Sequence, residues 1–296
     1  MRKIDKYESL WQQFKYTKFF RAPMWFVRKL YSGRLISKKE YIIPMRLGHK
    51  ILLRPTEQYL RAVMFGAQYH DETVFFLTRF LKKDAVIIDI GANIGLYTCA
   101  YAQYFKHLNL KIYSIEALKN NFELLKKNVE LNHLSNVQID HLALGKDNGT
   151  LTFKLPSDDY IGNAVGENIK KSSSDSKDVF ILEQVEMLTL DAYAQKNNIT
   201  RCDFIKIDIE GAEYFVFQGG KDFISRYRPI IQAEFNAYWI KQSNLTSTHF
   251  FEFFTKLDYV CAVERNNMFI ILDNPFEYVI EEELIDLLFI PKEKQF

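Results

Sequence analysis

Ala85-Val86-Ile87-Ile88-Asp89-Ile90-Gly91-Ala92-Asn93-Ile94-Gly95-Leu96-Tyr97-Thr98 is the stretch around which this chain is organised. A short run of β-branched residues without polar alternation predicts a strand buried on both faces, as in a parallel sheet. Asp89 stands near its end, and two glycines flank Asn93. Gly91 and Gly95 permit a tight turn and let a ligand approach backbone that no side chain shields. Leu96 to Ala102 then reads as the first turns of a helix. Strand, nucleotide-binding turn and helix N-terminus follow one another.

The turn also separates cofactor classes. A dinucleotide fingerprint wants three glycines. With Gly91 first, Asn93 and Leu96 occupy the second and third positions, a poor fit to a pyrophosphate. An acid before the turn and an Asn within it suit a neutral or cationic ligand, and S-adenosylmethionine is one. An ordinary strand-to-helix turn is the plainer alternative.

The 296 residues are 48% hydrophobic and 26% charged, a globular composition that suits one large α/β domain with an appendage, or two small domains. Cys99, Cys202 and Cys261 are widely spaced, and the six histidines show no zinc spacing, so no structural metal is expected. The N-terminus has no secretory-leader pattern, and no run approaches a membrane span of about 18 apolar residues. A cytoplasmic protein is expected, with peripheral contact at the inner membrane face as an option. Net charge is +2, yet residues 1–40 hold 11 Lys or Arg against 3 Asp or Glu. A basic arm precedes a mildly acidic body.

Residues 1–31 interleave Trp11, Phe14, Tyr16, Phe19, Phe20, Trp25, Phe26 and Tyr31 with basic residues. They read either as an interfacial membrane anchor or as a helix docked on the domain or on a second subunit, as in a homodimer. No recognised nucleic-acid motif accompanies the arm. Residues 41–54 predict two short strands around Gly48-His49, and Glu57 to Phe65 and Glu72 to Leu81 predict helices. The domain expectation is an N-terminal arm and hairpin over 1–79, then a catalytic domain over 80–296.

A second strand, Leu110 to Glu116, ends in an acid about 20 residues past the last glycine, where such folds place a carboxylate on the ribose hydroxyls. Asn120 to Leu131 is an amphipathic helix, and Asn136 to Leu144 a third strand and its exit. This alternation implies right-handed crossovers and a doubly wound sheet. Residues 156–178 form a polar loop, either lid or disorder. Val185 to Leu188 is a strand, and Thr189-Leu190-Asp191 opens a helix.

In Cys202-Asp203-Phe204-Ile205-Lys206-Ile207-Asp208-Ile209-Glu210-Gly211-Ala212-Glu213, alternation places Lys206, Asp208 and Glu210 on one side. A lysine in an apolar strand needs a counter-charge, for which Asp208 and Glu210 are nearest. They stand at the ligand crevice of an open sheet. A structural ion pair with Glu210 capping the next helix is the alternative. Arg228 to Phe235 is a fifth strand, again with an acid near its end. Tyr259 to Val263 and Met268 to Leu272 form a hairpin, so an antiparallel last strand is expected. The tail from 274 reads as a helix or loop.

These residues resemble the FkbM-type methyltransferases, a branch of the class I S-adenosylmethionine-dependent enzymes. The resemblance lies in Ile88 to Gly95, Ser114-Ile115-Glu116, Asn120 to Asn132, Ala143-Leu144-Gly145, Thr189-Leu190-Asp191, Ile205 to Glu213, Arg228 to Ile231 and Glu234. The family's usual Pro after the second-strand acid is Ala117 here. The resemblance implies a Rossmann-like, mostly parallel seven-stranded sheet with its last strand antiparallel. It implies methyl transfer from S-adenosylmethionine, most often to oxygen, and is silent on the acceptor, for which a hydroxyl of a glycan or other natural-product-like small molecule is expected. Carried over, Asp89, Gly91, Asn93 and Gly95 line the methionine and ribose end, Glu116 holds the ribose, and Leu142 and Ala143 border adenine. Asp208 and Glu210 face the acceptor, with Asp208 the expected general base, Glu210 second, and Lys206 tuning both. A non-catalytic scaffold recruited by the arm, or an NAD-dependent oxidoreductase or epimerase, is the rival expectation.

Overall fold

The computed structural model describes residues 40–54, 71–156, 160, 181–265, 268–277 and 284–294. A hairpin of β1 (Tyr41–Pro44) and β2 (Lys50–Leu53) precedes α1 (Asp71–Leu77). Then β3 (Val86–Ile90), α2 (Leu96–Tyr104), β4 (Lys111–Glu116), α3 (Lys119–Leu131) and β5 (Val137–His141) alternate. Next come β6 (Ala143–Leu144), β7 (Gly149–Leu155), β8 (Ile181–Leu188), α4 (Leu190–Lys196), β9 (Phe204–Ile207), α5 (Glu213–Gly219) and α6 (Lys221–Tyr227). The remaining elements are β10 (Ile230–Asn236), α7 (Ala237–Gln242), α8 (Ser247–Thr255), β11 (Tyr259–Arg265), β12 (Met268–Ile271) and β13 (Leu284–Pro291).

The main sheet has the order β12-β11-β13-β10-β9-β3-β4-β5. β10, β9, β3, β4 and β5 run parallel, and β13 lies antiparallel to both β10 and β11. The mostly parallel Rossmann-like sheet is as expected, and β12 pairs antiparallel with β11 as the hairpin predicts; β13, set between β10 and β11, brings the sheet to eight strands rather than seven. The tail is a correction: residues 284–291 are a strand, not a helix or loop. Ile285 and Leu287 to Ile290 are buried between β10 and β11, where only a strand fills the gap between two open edges.

Each face of the sheet buries its own core. On one, Tyr101 of α2 and Phe105 just past its end pack over Ile87, Ile112 and Phe204. On the other, Phe217 of α5 and Phe250 and Phe254 of α8 pack with Phe289, whose ring stacks on Phe254 at 3.8 Å between centroids. Burying each such side chain stabilises the fold by about 1.5–3 kcal/mol. Thr189 caps α4 as its sequence predicts, its Oγ1 accepting from Ala192 N at 3.0 Å.

The hairpin turns at Gly48 (φ 89°) and docks on α3. Buried Asn128 clamps it: Leu52 N donates to Asn128 Oδ1 (2.6 Å), and Asn128 Nδ2 donates to Leu52 O (3.0 Å) and Ile94 O (2.8 Å). α1 ends four residues earlier than expected, at Leu77. The arm over 1–31, the helix expected over Glu57 to Phe65, and the polar loop apart from Pro156 and Tyr160 lie outside the described residues.

Candidate active site

The turn after β3 is left-handed at three positions: Gly91 (φ 75°), Asn93 (φ 52°) and Gly95 (φ 87°). Gly91 N and Ala92 N both donate to Ile115 O at 2.9 Å, tying the turn to the end of β4. A Cβ on Gly91 would stand 2.1 Å from the Asp208 carbonyl oxygen, so its bareness lets the ends of β3 and β9 meet. Gly95 acts differently: a Cβ there would collide with Leu125 Cδ1 at 2.7 Å, so this glycine admits α3 against α2.

Glu116 is pre-ordered beneath the turn. Its Oε2 accepts from Asn93 N (2.8 Å), and its Oε1 from Leu118 N (2.8 Å) and Asn121 Nδ2 (3.4 Å). Burial pushes its pKa up to about 7 against the pull of these donors. Gly91, Asn93, Glu116, Leu142, Ala143, Asp208 and Glu210 line one cleft, with Leu144, Leu151 and Phe153 among its apolar walls. Sequence-nominated residues from four strand ends thus converge at the C-terminal edge of the sheet.

Asp89, Gly95 and Lys206 do not line that cleft. Asp89 and Lys206 belong to a polar row under α2. Ser114, Asp89, Lys206 and Gln232 are in-register neighbours across β4, β3, β9 and β10, and all are buried. Thr98 Oγ1 donates to Asp89 Oδ2 at 2.6 Å and lies 2.8 Å from Ser114 Oγ. Asp89 Oδ1 and the Tyr101 hydroxyl have no hydrogen bond among the described residues. Burial raises the Asp89 pKa, with Lys206 and Thr98 opposing.

Lys206 donates to Asp208 Oδ2 at 3.1 Å, and its ammonium sits 4.4 Å from the Tyr97 ring centroid. Burial lowers the Lys206 pKa, but the charges of Asp208, Asp89 and Asp286 together outweigh it and hold it above the ordinary value. β9 ends at Ile207, so Glu210 reaches the site by a turn rather than by strand alternation; its φ is 55°. Glu213 braces that turn, its Oε1 accepting from Ile209 N (3.0 Å) and Gly211 N (3.3 Å).

Carboxylate oxygens of Asp208, Glu210 and Glu234 lie within 4.8 Å of one another. Glu234 also pairs in register with Asp286 of β13. Its pKa is pushed up to about 9 by burial, then by Asp208, Glu210 and Asp286, with Lys206 opposing. Sequence reading noticed Glu234 as an acid near a strand end without giving it a role. It passed over Asn121, Asn128 and Glu213, whose partners are backbone groups brought near by folding. His141 stays apart from the cleft, stacked on Phe122 with Nε2 3.0 Å from Ala117 O.

The architecture and the cleft define a Rossmann-like α/β domain with a cleft at the carboxyl ends of the parallel strands, where such folds bind ligands. The profile of the Methyltransferase FkbM domain matches residues 89–261, and the chain belongs to that family. A curated relative, Methyltransferase 1 of Beauveria bassiana (strain ARSEF 2860), is 29% identical over 150 residues, 47% of this chain and 59% of the relative. The chain thus spans less than two thirds of that relative's length. Among solved structures, an FkbM methyltransferase from Methylobacillus flagellatus KT matches at 18% identity and TM-score 0.45, over 79% of this chain and 54% of that one. TYW2 of M. jannaschii in complex with AdoMet matches at 14% identity and TM-score 0.41, over 86% and 85%.

Proposed function

We propose that the cleft binds S-adenosylmethionine and that the protein transfers its methyl group to an acceptor hydroxyl, with a glycan or similar natural product as the acceptor class. The observation that carries this is the meeting of Glu116 with Asp208 and Glu210 in one cleft across the bare backbone of Gly91. Family membership supports the same reading.

In this reading Glu116 accepts from the ribose diol, oriented beforehand by Asn93 N and Leu118 N. Leu142, Ala143 and Phe153 give the adenine an apolar wall. The bound cofactor supplies an activated methyl group and a neutral thioether leaving group. The chain's own contribution is position and field: Asp208, fixed by Lys206, and Glu210 lie where an acceptor hydroxyl would need a proton acceptor. Asp89 acts from beneath, holding Thr98 at the start of α2.

Calorimetric titration of S-adenosylmethionine and S-adenosylhomocysteine into wild type and Glu116→Ala tests the reading. Micromolar binding that the substitution weakens at least tenfold is expected. No binding by folded wild type would overturn it. Residues 1–31 are assigned a peripheral membrane or subunit contact, checked by vesicle co-sedimentation and by oligomeric state with and without them. Among the described residues no helix is long and apolar enough to cross a membrane.

A further inference from the structure

We propose that Glu234 holds a resident proton within the Asp208–Glu210–Glu234 cluster, so that the cluster takes up one further proton, the one a neutral hydroxyl or amine acceptor releases on methylation. The groups facing Glu234 are Asp208 and Glu210 from the end of β9, Asp286 from β13, and Lys206 from β9. Four carboxyls therefore meet one ammonium, and that ammonium is already committed to Asp208 at 3.1 Å. Among the described residues no hydrogen bond or ion pair holds the Glu234 carboxyl. Like charges this close do not all ionise in a half-buried site, and Glu234, which faces the carboxyls of Asp208, Glu210 and Asp286 at once, keeps the proton.

Two further observations point the same way. Asp89, fully buried beside Lys206 in the row, leaves Oδ1 without a hydrogen bond among the described residues, so this layer is short of donors. The cluster also borders the ligand cleft through Asp208 and Glu210, which gives an acceptor's proton a path into it. A metal ion is the competing occupant of three converging carboxylates. A hard divalent cation wants six or more oxygen ligands, and the Lys206 ammonium beside Asp208 would repel it. A proton needs neither.

With the resident proton in place, Asp208, Glu210, Glu234 and Lys206 together carry a net charge of minus one, with the Asp286 carboxyl beside them. Methylation breaks the carbon–sulfur bond, its electron pair staying on sulfur, and forms a carbon–oxygen or carbon–nitrogen bond. The acceptor's proton passes to Asp208 or Glu210 and brings the cluster to neutrality. An anionic acceptor, such as a carboxylate or phosphate, has no proton to give and is repelled. This second half rests on the methyl-transfer reading; the resident proton does not.

The test is isotope-edited infrared spectroscopy of the full chain with carboxyl-labelled glutamate, at pH 8. There Glu116 and Glu213, both near 7, are mostly ionised, while Glu234, near 9, is not. Wild type should show a protonated-carboxyl band that Glu234→Gln removes, and that Asp208→Asn, which takes away a facing charge and frees Lys206, moves to lower pH. Gln mimics the protonated acid in shape, and circular dichroism confirms the fold. A band unchanged in Glu234→Gln overturns the proposal. So does its loss on adding micromolar magnesium or calcium chloride, which would make the cluster a cation site. A Glu234 band together with no S-adenosylmethionine binding would keep the proton and remove methyl transfer.

Discussion

Replacing Asn128 with leucine removes the clamp that joins the hairpin, α3 and the ligand turn. Three hydrogen bonds go at once, leaving Leu52 N, Leu52 O and Ile94 O without that partner. At about 1 kcal/mol net for each, the loss is ~3 kcal/mol. For a domain of this size that lowers Tm by roughly 6–12 °C. Asn132→Ala is the control, because it removes the bonds to Lys50 N, Lys50 O and Asn128 O at the exposed end of the hairpin, where water replaces them. Its expected loss is under about 1 kcal/mol. Urea unfolding and thermal scans read both values. Because Ile94 belongs to the turn, Asn128→Leu should also weaken S-adenosylhomocysteine binding, while Asn132→Ala leaves it within twofold. Equal destabilisation by the two variants, or a loss below about 1 kcal/mol for Asn128→Leu, would refute the reasoning.

Other outcomes follow from buried groups. Gly91→Ala places a methyl group against the Asp208 carbonyl at φ 75°, so cofactor binding should fall more than tenfold by calorimetry and stability by about 1–3 kcal/mol. His49 is buried with neither ring nitrogen hydrogen-bonded among the described residues, and burial lowers its pKa to about 4. Its unfolded value is higher, so the stability it permits is complete above pH 6.5 and lost as pH falls toward 4. At about 1.4 kcal/mol per unit this amounts to ~3 kcal/mol, and His49→Phe should flatten that part of the urea-stability profile. Glu213 titrates the other way: burial first raises its pKa to about 7, so stability is full below pH 4.5 and declines as pH rises through 7. Glu213→Gln keeps an acceptor for Ile209 N and Gly211 N, and should raise stability at pH 8 by about 1–3 kcal/mol.

What the sequence made legible was local. The β3 turn and its glycines, Glu116 at a strand end, and Thr189 before α4 each carry their signal within a few residues of themselves. Glu210 did not, because period-two alternation contains no sign that the strand stops at Ile207 and turns left-handed. The strand over 284–291 was hidden for a non-local reason: Leu-Ile-Asp-Leu-Leu-Phe-Ile-Pro suits several conformations. Only the vacant edges of β10 and β11, far earlier in the chain, select extended backbone. Glu234 joins Asp208 and Glu210 through the β9–β10 register, so its role is invisible until the sheet is assembled. Asn128 looked like one polar position on an amphipathic helix, since its partners lie 76 and 34 residues away.

The place of β13 has a consequence for biosynthesis. β10 ends at Asn236, and the strand that covers its edge begins at Leu284. At about 5–20 residues per second, a ribosome takes roughly 2–10 s to make the intervening chain. Throughout that interval the backbone groups of Ile231, Ala233 and Phe235 that later pair with β13 face outward from a half-built sheet. Such an edge recruits other nascent chains. Yield of soluble protein should therefore respond to growth temperature and chaperone supply more steeply than the stability of the finished fold would suggest, because the sticky intermediate is built into the order of synthesis.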